Sequence, residues 1–532
     1  MECGFRHKSR SLDKLNELIN ILELEDIWRL KHGNIKRFTW RQKNPRVQCR
    51  LDYFLISTNV TDLVVDSTIL PSILSDHSPI AVTLKYIPEP TRGPGHWKLN
   101  VSLLKEEDYK TQIRHNIAAW LEKYENLDNE NLKWDLMKYE IRKFSIAYSK
   151  NKRKQQIDEQ VIKERELIEL EQIESQADEE TLRRMDVLKA DLEQIHLNKA
   201  QGAIIRSRAQ WSEEGEKSTA YFFNLEKQNA IKKSIRRLVY KEKEITNPDD
   251  ILKAMKEYYE EIYSWKKIDF SKTDIFTNMA IPKLNREDQE KCEGLISLDE
   301  CSKVLHTLAK NKAPGNDGLQ IEFYIEFWKE LGHLLIKSYN YSFANGLLST
   351  SQRQACITLL SKNGKDRLSI ENWRPISLLN VDYKIMSKCI AERIKNVLVK
   401  LIDETQTGFI KGRNISDGMR AILDVVEETV ISNREGMLIT IDFQKAFDSL
   451  SWDYLFKSLH TFKFGMEFIK WVKLCYTDIS SCIMNNNSSS QYFNVKRGVR
   501  QGDSLSPYLF ILAVELMSIE IRTNKEIRGL PY

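Results

Sequence analysis

The chain has 532 residues, too many for one hydrophobic core, and at ~150 residues per domain this length points to about three units. Its 81 Lys+Arg stand against 76 Asp+Glu, a net charge of +5, so a nucleic-acid surface must come from clustering rather than from the total. Eight cysteines without a Cys-x-x-Cys pair argue against a disulfide framework or a zinc site and fit a reducing compartment, and no apolar run approaches the ~20 residues of a membrane span.

In chain order, residues 11 to 24 read as an amphipathic helix with Ser11 as its cap. Strand-like segments follow at Phe38–Trp40, Arg50–Ile56 and Asp62–Val65, and then Ser75-Asp76-His77-Ser-Pro leads into another apolar run. An Asp-His pair entering a strand can set a metal-bound carboxylate beside an imidazole that activates water, with Asp52 orienting the ring. The same residues also make an ordinary Asp-initiated turn before Pro79.

Three prolines and two glycines in Ile87–Gly95 break any element and mark a boundary. From His96 to about residue 200 the pattern is helical. Met185, Leu188, Leu192 and Ile195 keep helical spacing, as do Leu170, Ile173 and Ala177, with a break at Ser175–Asp178 where Asp178 can cap the second of two antiparallel helices. Residues 206 to 237 are cationic with interleaved aromatics. Arg206, Arg208, Lys217, Lys232, Lys233, Arg236 and Arg237 surround Trp211 and Tyr221-Phe-Phe, a composition that suits phosphates and unpaired bases as well as a buried aromatic helix face with a basic rim.

Asn247-Pro248 opens another helix, and Ser297 with Glu300 makes a capping box before an amphipathic helix that ends in the tight turn Lys312-Ala-Pro-Gly-Asn-Asp-Gly318. Cys356–Leu360 and Asn372–Leu379 read as a hairpin flanked by Lys362 and Arg374, two cations that can be aimed at a triphosphate, and a long helix follows from about Val381 to Leu401. Gln406-Thr-Gly-Phe-Ile-Lys411-Gly-Arg413 is a second basic, glycine-bearing turn. The run Gly436–Phe443 reads as a buried strand that ends on Asp442, which can hold a divalent cation at the rim or cap the next helix. Downstream, Arg500-Gln501-Gly502-Asp-Ser-Leu-Ser506-Pro507 places a flexible amide and a close-approach glycine before a buried helix capped by Ser506.

Ala313-Pro-Gly-Asn-Asp-Gly, Asn372-Trp-Arg-Pro-Ile-Ser, Gln406-Thr-Gly-Phe, Ile441-Asp-Phe-Gln-Lys-Ala-Phe-Asp and Arg500-Gln-Gly-Asp-Ser-Leu-Ser-Pro resemble, in this order, the motifs of reverse transcriptases of the LINE-type, non-LTR retrotransposons. Arg50-Leu-Asp52-Tyr-Phe-Leu with Ser75-Asp76-His77-Ser-Pro-Ile resembles the C-terminal end of the endonuclease/exonuclease/phosphatase family. The fold this implies is mixed α/β and multidomain: the C-terminal part of an endonuclease-like two-sheet sandwich (1–87), a linker (88–96), a partly coiled-coil-like helical segment (97–200), a basic extension (201–296), and polymerase fingers with a partial palm (297–532).

The resemblance implies RNA-directed DNA synthesis with Mg²⁺ in a two-metal site. Asp442 is then the first metal ligand with the Phe443 carbonyl beside it, Phe447 the gate against a ribose 2′-hydroxyl, Lys362 and Arg374 the triphosphate clamp, and Gln501 with Gly502 the border of the nascent pair. His77 is the nuclease base, Asp52 its orienting partner and Asp76 its metal neighbour. RNA template, DNA primer or target and deoxynucleoside triphosphates are the implied partners, in a nuclear and cytoplasmic ribonucleoprotein, with no membrane. Asp448 is expected at the surface as a cap or salt bridge. The family's aromatic-x-Asp-Asp hairpin is not in the sequence, so a chain truncated at both ends and inactive by itself is expected; a catalytically dead RNA- or hybrid-binding fragment is the alternative.

Overall fold

The computed structural model describes residues 10–43, 46–85, 93, 95–173, 177–207, 234–266 and 280–527. The protein is mixed α/β and divides into two compact units, one of residues 1–91 and 148–232 and the other of 92–147 and 233–532. The helical stretch at 97–200 is thus shared between them.

In the first unit, β1 (Leu24–Asp26), β2 (Trp40–Lys43), β3 (Arg46–Cys49), β4 (Leu55–Ser57), β5 (Val64–Ile69) and β6 (Ile80–Leu84) form three antiparallel pairs, β1 with β4, β2 with β3 and β5 with β6. The helices Glu130–Ile173 and Glu179–Ser207 meet through Leu167 on the first and Met185, Leu188 and Leu192 on the second, the last three being periodic positions read from the sequence, and the Asp178 carboxylate caps the second helix by accepting from the Thr181 amide at 2.9 Å. Glu171 is fully buried and ties this pair to the strands: it accepts from the Ser72 amide at 2.8 Å and pairs with Arg37 at 3.2 Å and Arg41 at 3.1 Å. Two guanidiniums and an amide compensate the cost of taking one carboxylate out of water.

The second unit is built on a five-stranded sheet. After the small hairpin β7 (Leu238–Tyr240) and β8 (Lys243–Ile245) come β9 (Gln354–Ser361), β10 (Trp373–Leu379), β11 (Ser480–Asn485), β12 (Ser488–Ser489) and β13 (Phe493–Asn494). β9 is central, antiparallel to β10 and parallel to β11, and β11 also pairs with β12 and β13. Consecutive buried residues in β9 and β11 are what a sheet covered on both faces requires.

The helix signals read from sequence are in place around it. Asn247 caps Pro248–Ile262, Ser297 and Glu300 close a capping box on Leu298–Leu305, and Val381–Leu398 buries Ile385, Cys389, Ile390, Ile394, Val397 and Leu398. Ser506 is the first residue of the helix Ser506–Thr523, and Leu505 takes the cap position expected of Ser506.

One expected element is absent. The β-branched run Gly436–Phe443 pairs with no strand among the described residues, and Met437, Leu438, Ile439 and Ile441 are exposed. Alternating or apolar sequence confers extended preference, but a strand exists only where a neighbour takes up its backbone hydrogen bonds. The adjacent helix Ile415–Ile431 likewise buries no residue, although Ile422, Leu423, Val426 and Val430 share one apolar side.

Candidate functional site

The β9–β10 hairpin sets the first wall. Register pairs Trp373 with Ser361 and Arg374 with Leu360, so Arg374 points outward between the buried Trp373 and Pro375, as the two-residue alternation of a strand dictates. The Lys362 amide donates to the Asn372 carbonyl at 2.8 Å and its ammonium to the Glu371 carbonyl at 3.1 Å, which holds the lysine at the hairpin mouth. Lys362, Arg374, Asp442, Phe443 and Gln501 all line one cleft of about 410 Å³, together with Tyr258, Glu371, Lys445 and Asp448.

A tight turn forms the second wall. Lys445 adopts φ +52°, a left-handed conformation, and starts the short helix Ala446–Ser449. Its ammonium donates to the Tyr258 hydroxyl at 2.7 Å and lies 4.5 Å from that ring's centre; burial lowers its pKa, against the pull of Glu371 and Asp448. Phe447 meets Phe510 edge to face at 5.0 Å, and Phe443 meets the same ring at 6.2 Å.

Asp448 is buried, not at the surface as its place in a polar turn suggested. It accepts from the Tyr263 hydroxyl at 2.7 Å and the Gln501 amide at 2.9 Å, and burial pushes its pKa up to about 6. The Gln-Gly loop reaches it because backbone bonds stitch that loop to both walls. The Val499 amide donates to Phe447 at 2.7 Å, Gly498 to Leu450 at 2.7 Å and Ser377 to the Gln501 carbonyl at 2.9 Å. Gly498 has φ +87°, and a Cβ there would lie 2.8 Å from the Asp448 carbonyl oxygen, so only glycine permits this approach.

In the first unit His77 and Asp52 are brought together, with Nδ1 to Oδ2 at 3.0 Å on the solvent-facing side. The Thr39 hydroxyl accepts from the amides of Leu51 and Asp52 and fixes the aspartate's backbone. Asp76, next to His77, accepts from the Trp40 indole at 3.0 Å and from Ser75, and the indole's hydrogen bond holds its carboxyl below the usual carboxylate range.

Residues 360–531 match the family model for reverse transcriptase (RNA-dependent DNA polymerase). Over its whole length the chain is 30% identical to the Transposon TX1 uncharacterized 149 kDa protein of Xenopus laevis, covering 99% of this chain and 40% of that protein. The stretch 360–531 is thus similar to a reverse transcriptase domain, and the chain as a whole is similar to retrotransposon proteins. The non-LTR relatives include the retrovirus-related Pol polyprotein from the type-1 retrotransposable element R2 of Popillia japonica, 24% identical over 41% of this chain and 30% of that one. They also include the RNA-directed DNA polymerase from mobile element jockey of Drosophila melanogaster, 23% identical over 46% of this chain and 29% of that one. The chain therefore spans well under half the length of these relatives.

Within the reverse transcriptase domain, Gly502 has φ +103° and a Cβ there would lie 3.1 Å from the Ser377 carbonyl oxygen, so a side chain at this position is strained against β10. Arg413 spends its guanidinium on the carbonyls of Ile402, Asp403 and Gln406, closing the turn whose other cation, Lys411, is exposed. Arg236 is exposed and Arg237 pairs with Glu244 at 2.6 Å. Arg208, Lys217, Lys232 and Lys233, and the side chain of Arg206, lie outside the described residues. Among the described residues no helix is long and apolar enough to cross a membrane. The cleft residues that motif reading passed over are Tyr258, Lys445 and Asp448; the last two lie inside the Asp-Phe-Gln-Lys-Ala-Phe-Asp run, and only their partners reveal what they do.

Proposed function

We propose that the cleft of the second unit is the deoxynucleotide site of an RNA-directed DNA polymerase that works by two-metal nucleotidyl transfer. The observation that supports this is the convergence of Lys362, Arg374, Asp442, Phe443 and Gln501, from separate segments, on one cleft. Lys362 supplies a point charge and Arg374 a planar fork for phosphate oxygens. Phe443 lines the cleft and is suited to meet the sugar, Phe447 and Phe510 pack behind it, and Gln501, oriented by Asp448, borders the base.

The family uses a divalent metal, Mg²⁺. Asp442 is exposed in the cleft and fits as its ligand, while Asp448 is committed to Tyr263 and Gln501. Bound there, Mg²⁺ would neutralise charge developing on the transferred phosphate. Extension of a DNA primer on an RNA template with deoxynucleotides and Mg²⁺ tests this: incorporation that Asp442→Ala abolishes supports the reading, and incorporation that Asp442→Ala leaves unchanged refutes it.

In this reading 297–532 are fingers and partial palm, the basic residues between 201 and 237 meet RNA template and DNA primer or target, and residues 1–87 are the C-terminal part of an endonuclease-like α/β sandwich. The Asp52–His77 contact at 3.0 Å beside Asp76 supports the last of these, with His77 as base. Nicking of supercoiled DNA with Mg²⁺, compared with His77→Ala, tests whether these residues support cleavage.

A further inference from the structure

We propose that His96, Cys356 and Cys482 form a structural metal site in the second unit, suited to Zn²⁺. Cys356 and Cys482 are direct register partners on the parallel neighbours β9 and β11, so their side chains leave the same face of the sheet. Both are buried, and their sulfurs lie 3.7 Å apart. A tetrahedral zinc ion with Zn–S bonds of ~2.3 Å places two thiolates ~3.8 Å apart, so the sulfurs already stand at the edge length of that tetrahedron. At this distance the two sulfurs are not bonded to each other, and both cysteines are free. A ring nitrogen of His96 lies within 4.8 Å of both sulfurs, and among the described residues this is the one group of three His, Cys, Asp or Glu ligand atoms so assembled.

The imidazole is delivered by backbone, not by chance contact. The Gly93 amide donates to Asn486 at 3.3 Å and Gly95 to Asn487 at 2.9 Å, which docks the linker on the β11–β12 turn; three residues beyond His96, the Leu99 amide donates to Gly318 at 3.0 Å. The Tyr492 hydroxyl accepts from Asn316 Nδ2 at 3.1 Å, and a water can complete four ligands. Two thiolates and a neutral imidazole balance the charge of one Zn²⁺, and binding releases the two thiol protons to solvent. The ion would staple the linker to the sheet, away from the nucleotide cleft's own residues.

A second pair, Cys301 and Cys389, also has its sulfurs at 3.7 Å, yet no third ligand joins it among the described residues. It serves as an internal control. The full 532-residue chain, stripped with a chelator under reducing conditions, is titrated with Co²⁺ as a spectroscopic probe and then with Zn²⁺. The expected result is one equivalent bound with thiolate-to-cobalt absorption that Zn²⁺ displaces, lost in Cys356→Ser or Cys482→Ser, weakened at least about tenfold in His96→Ala, and unchanged in Cys301→Ser. Absence of thiolate-to-cobalt absorption, or a signal that survives Cys482→Ser, overturns the proposal, as does a signal lost equally in Cys301→Ser. Because a cysteine variant can misfold, His96→Ala with native circular dichroism is the deciding case: unaltered affinity there removes the histidine from the site and sinks the inference.

Discussion

Gln501 donates its side-chain amide to the buried carboxyl of Asp448 at 2.9 Å, and Tyr263 donates to the same carboxyl from the other side at 2.7 Å. The Gln-Gly loop is thereby held against the turn that carries Phe447, and the orientation of Gln501 depends on its bond to Asp448. Replacing Asp448 with Ala leaves two donors unpaired in a dry site, and removing such a partner costs about 1–3 kcal/mol for each group left behind. The Asp448→Ala chain is expected to unfold at lower urea, and to lose nucleotide affinity in the cleft while Asp448→Asn keeps most of both.

The raised Asp448 pKa of about 6 has a definite sign in stability. The folded state holds the proton to higher pH than the unfolded chain does, so between roughly pH 4 and pH 6 folding takes up a proton and stability falls as pH rises. A shift of two units corresponds to about 3 kcal/mol at most. Urea midpoints measured at pH 4.5 and pH 7 are expected to differ less in Asp448→Asn than in the parent chain; an unchanged difference contradicts the assignment.

Lys138 is buried among carboxylates, 2.6 Å from Asp382 and 3.3 Å from Asp317, and these opposite charges raise its pKa against its own burial. Its loss strands Asp382, which also accepts from the Trp134 indole at 2.7 Å. Lys138→Met is expected to destabilise the second unit by about 3–5 kcal/mol. Adding Asp382→Asn is expected to recover part of that loss in a double-mutant cycle, and strict additivity argues against direct pairing.

In the cleft, Lys362→Ala and Arg374→Ala are each expected to weaken binding of a deoxynucleoside triphosphate with Mg²⁺ by roughly tenfold, about 1.4 kcal/mol. Trp373 lines the same cleft, so quenching of its fluorescence reports binding directly. Arg374→Lys is expected to recover less than the full affinity, because an ammonium cannot present the planar fork. Raising salt should narrow the difference between parent and variants.

The exposed apolar side of Ile415–Ile431 and the residues Met437 and Leu438 border a cavity of about 1150 Å³ lined by Ile415, Met419, Ile422, Val426 and Val430, among others. Contiguous apolar surface of this kind binds hydrophobic dyes and drives self-association. Ile422→Lys with Val430→Lys is expected to lower dye fluorescence and raise solubility while leaving the thermal midpoint within about 0.5 kcal/mol of equivalent stability.

Much was legible in the sequence where the determinants are local. Capping residues such as Asn247, Ser297 and Asp178 announce helices because the bonds they make span only a few residues, and the Lys362–Arg374 hairpin follows from strand alternation around a turn. The Asp52–His77 pair and the shared cleft follow from motif order, since similar chains place similar side chains together. The strand expected at 437–443 failed for the opposite reason: extended preference is local, but a ladder partner is not.

Composition and motif order by themselves determined a mixed α/β, multidomain chain of the LINE-type reverse transcriptase kind, because helix caps, strand alternation and motif residues are written at short range. Tertiary structure alone decided that Asp448 is a buried anchor for Gln501, that Lys138 sits among carboxylates, and that His96, Cys356 and Cys482 converge despite lacking any metal-ligand spacing. These are desolvated contacts between segments far apart in the chain, and their energies depend on burial and distance, quantities that exist only once the chain has folded.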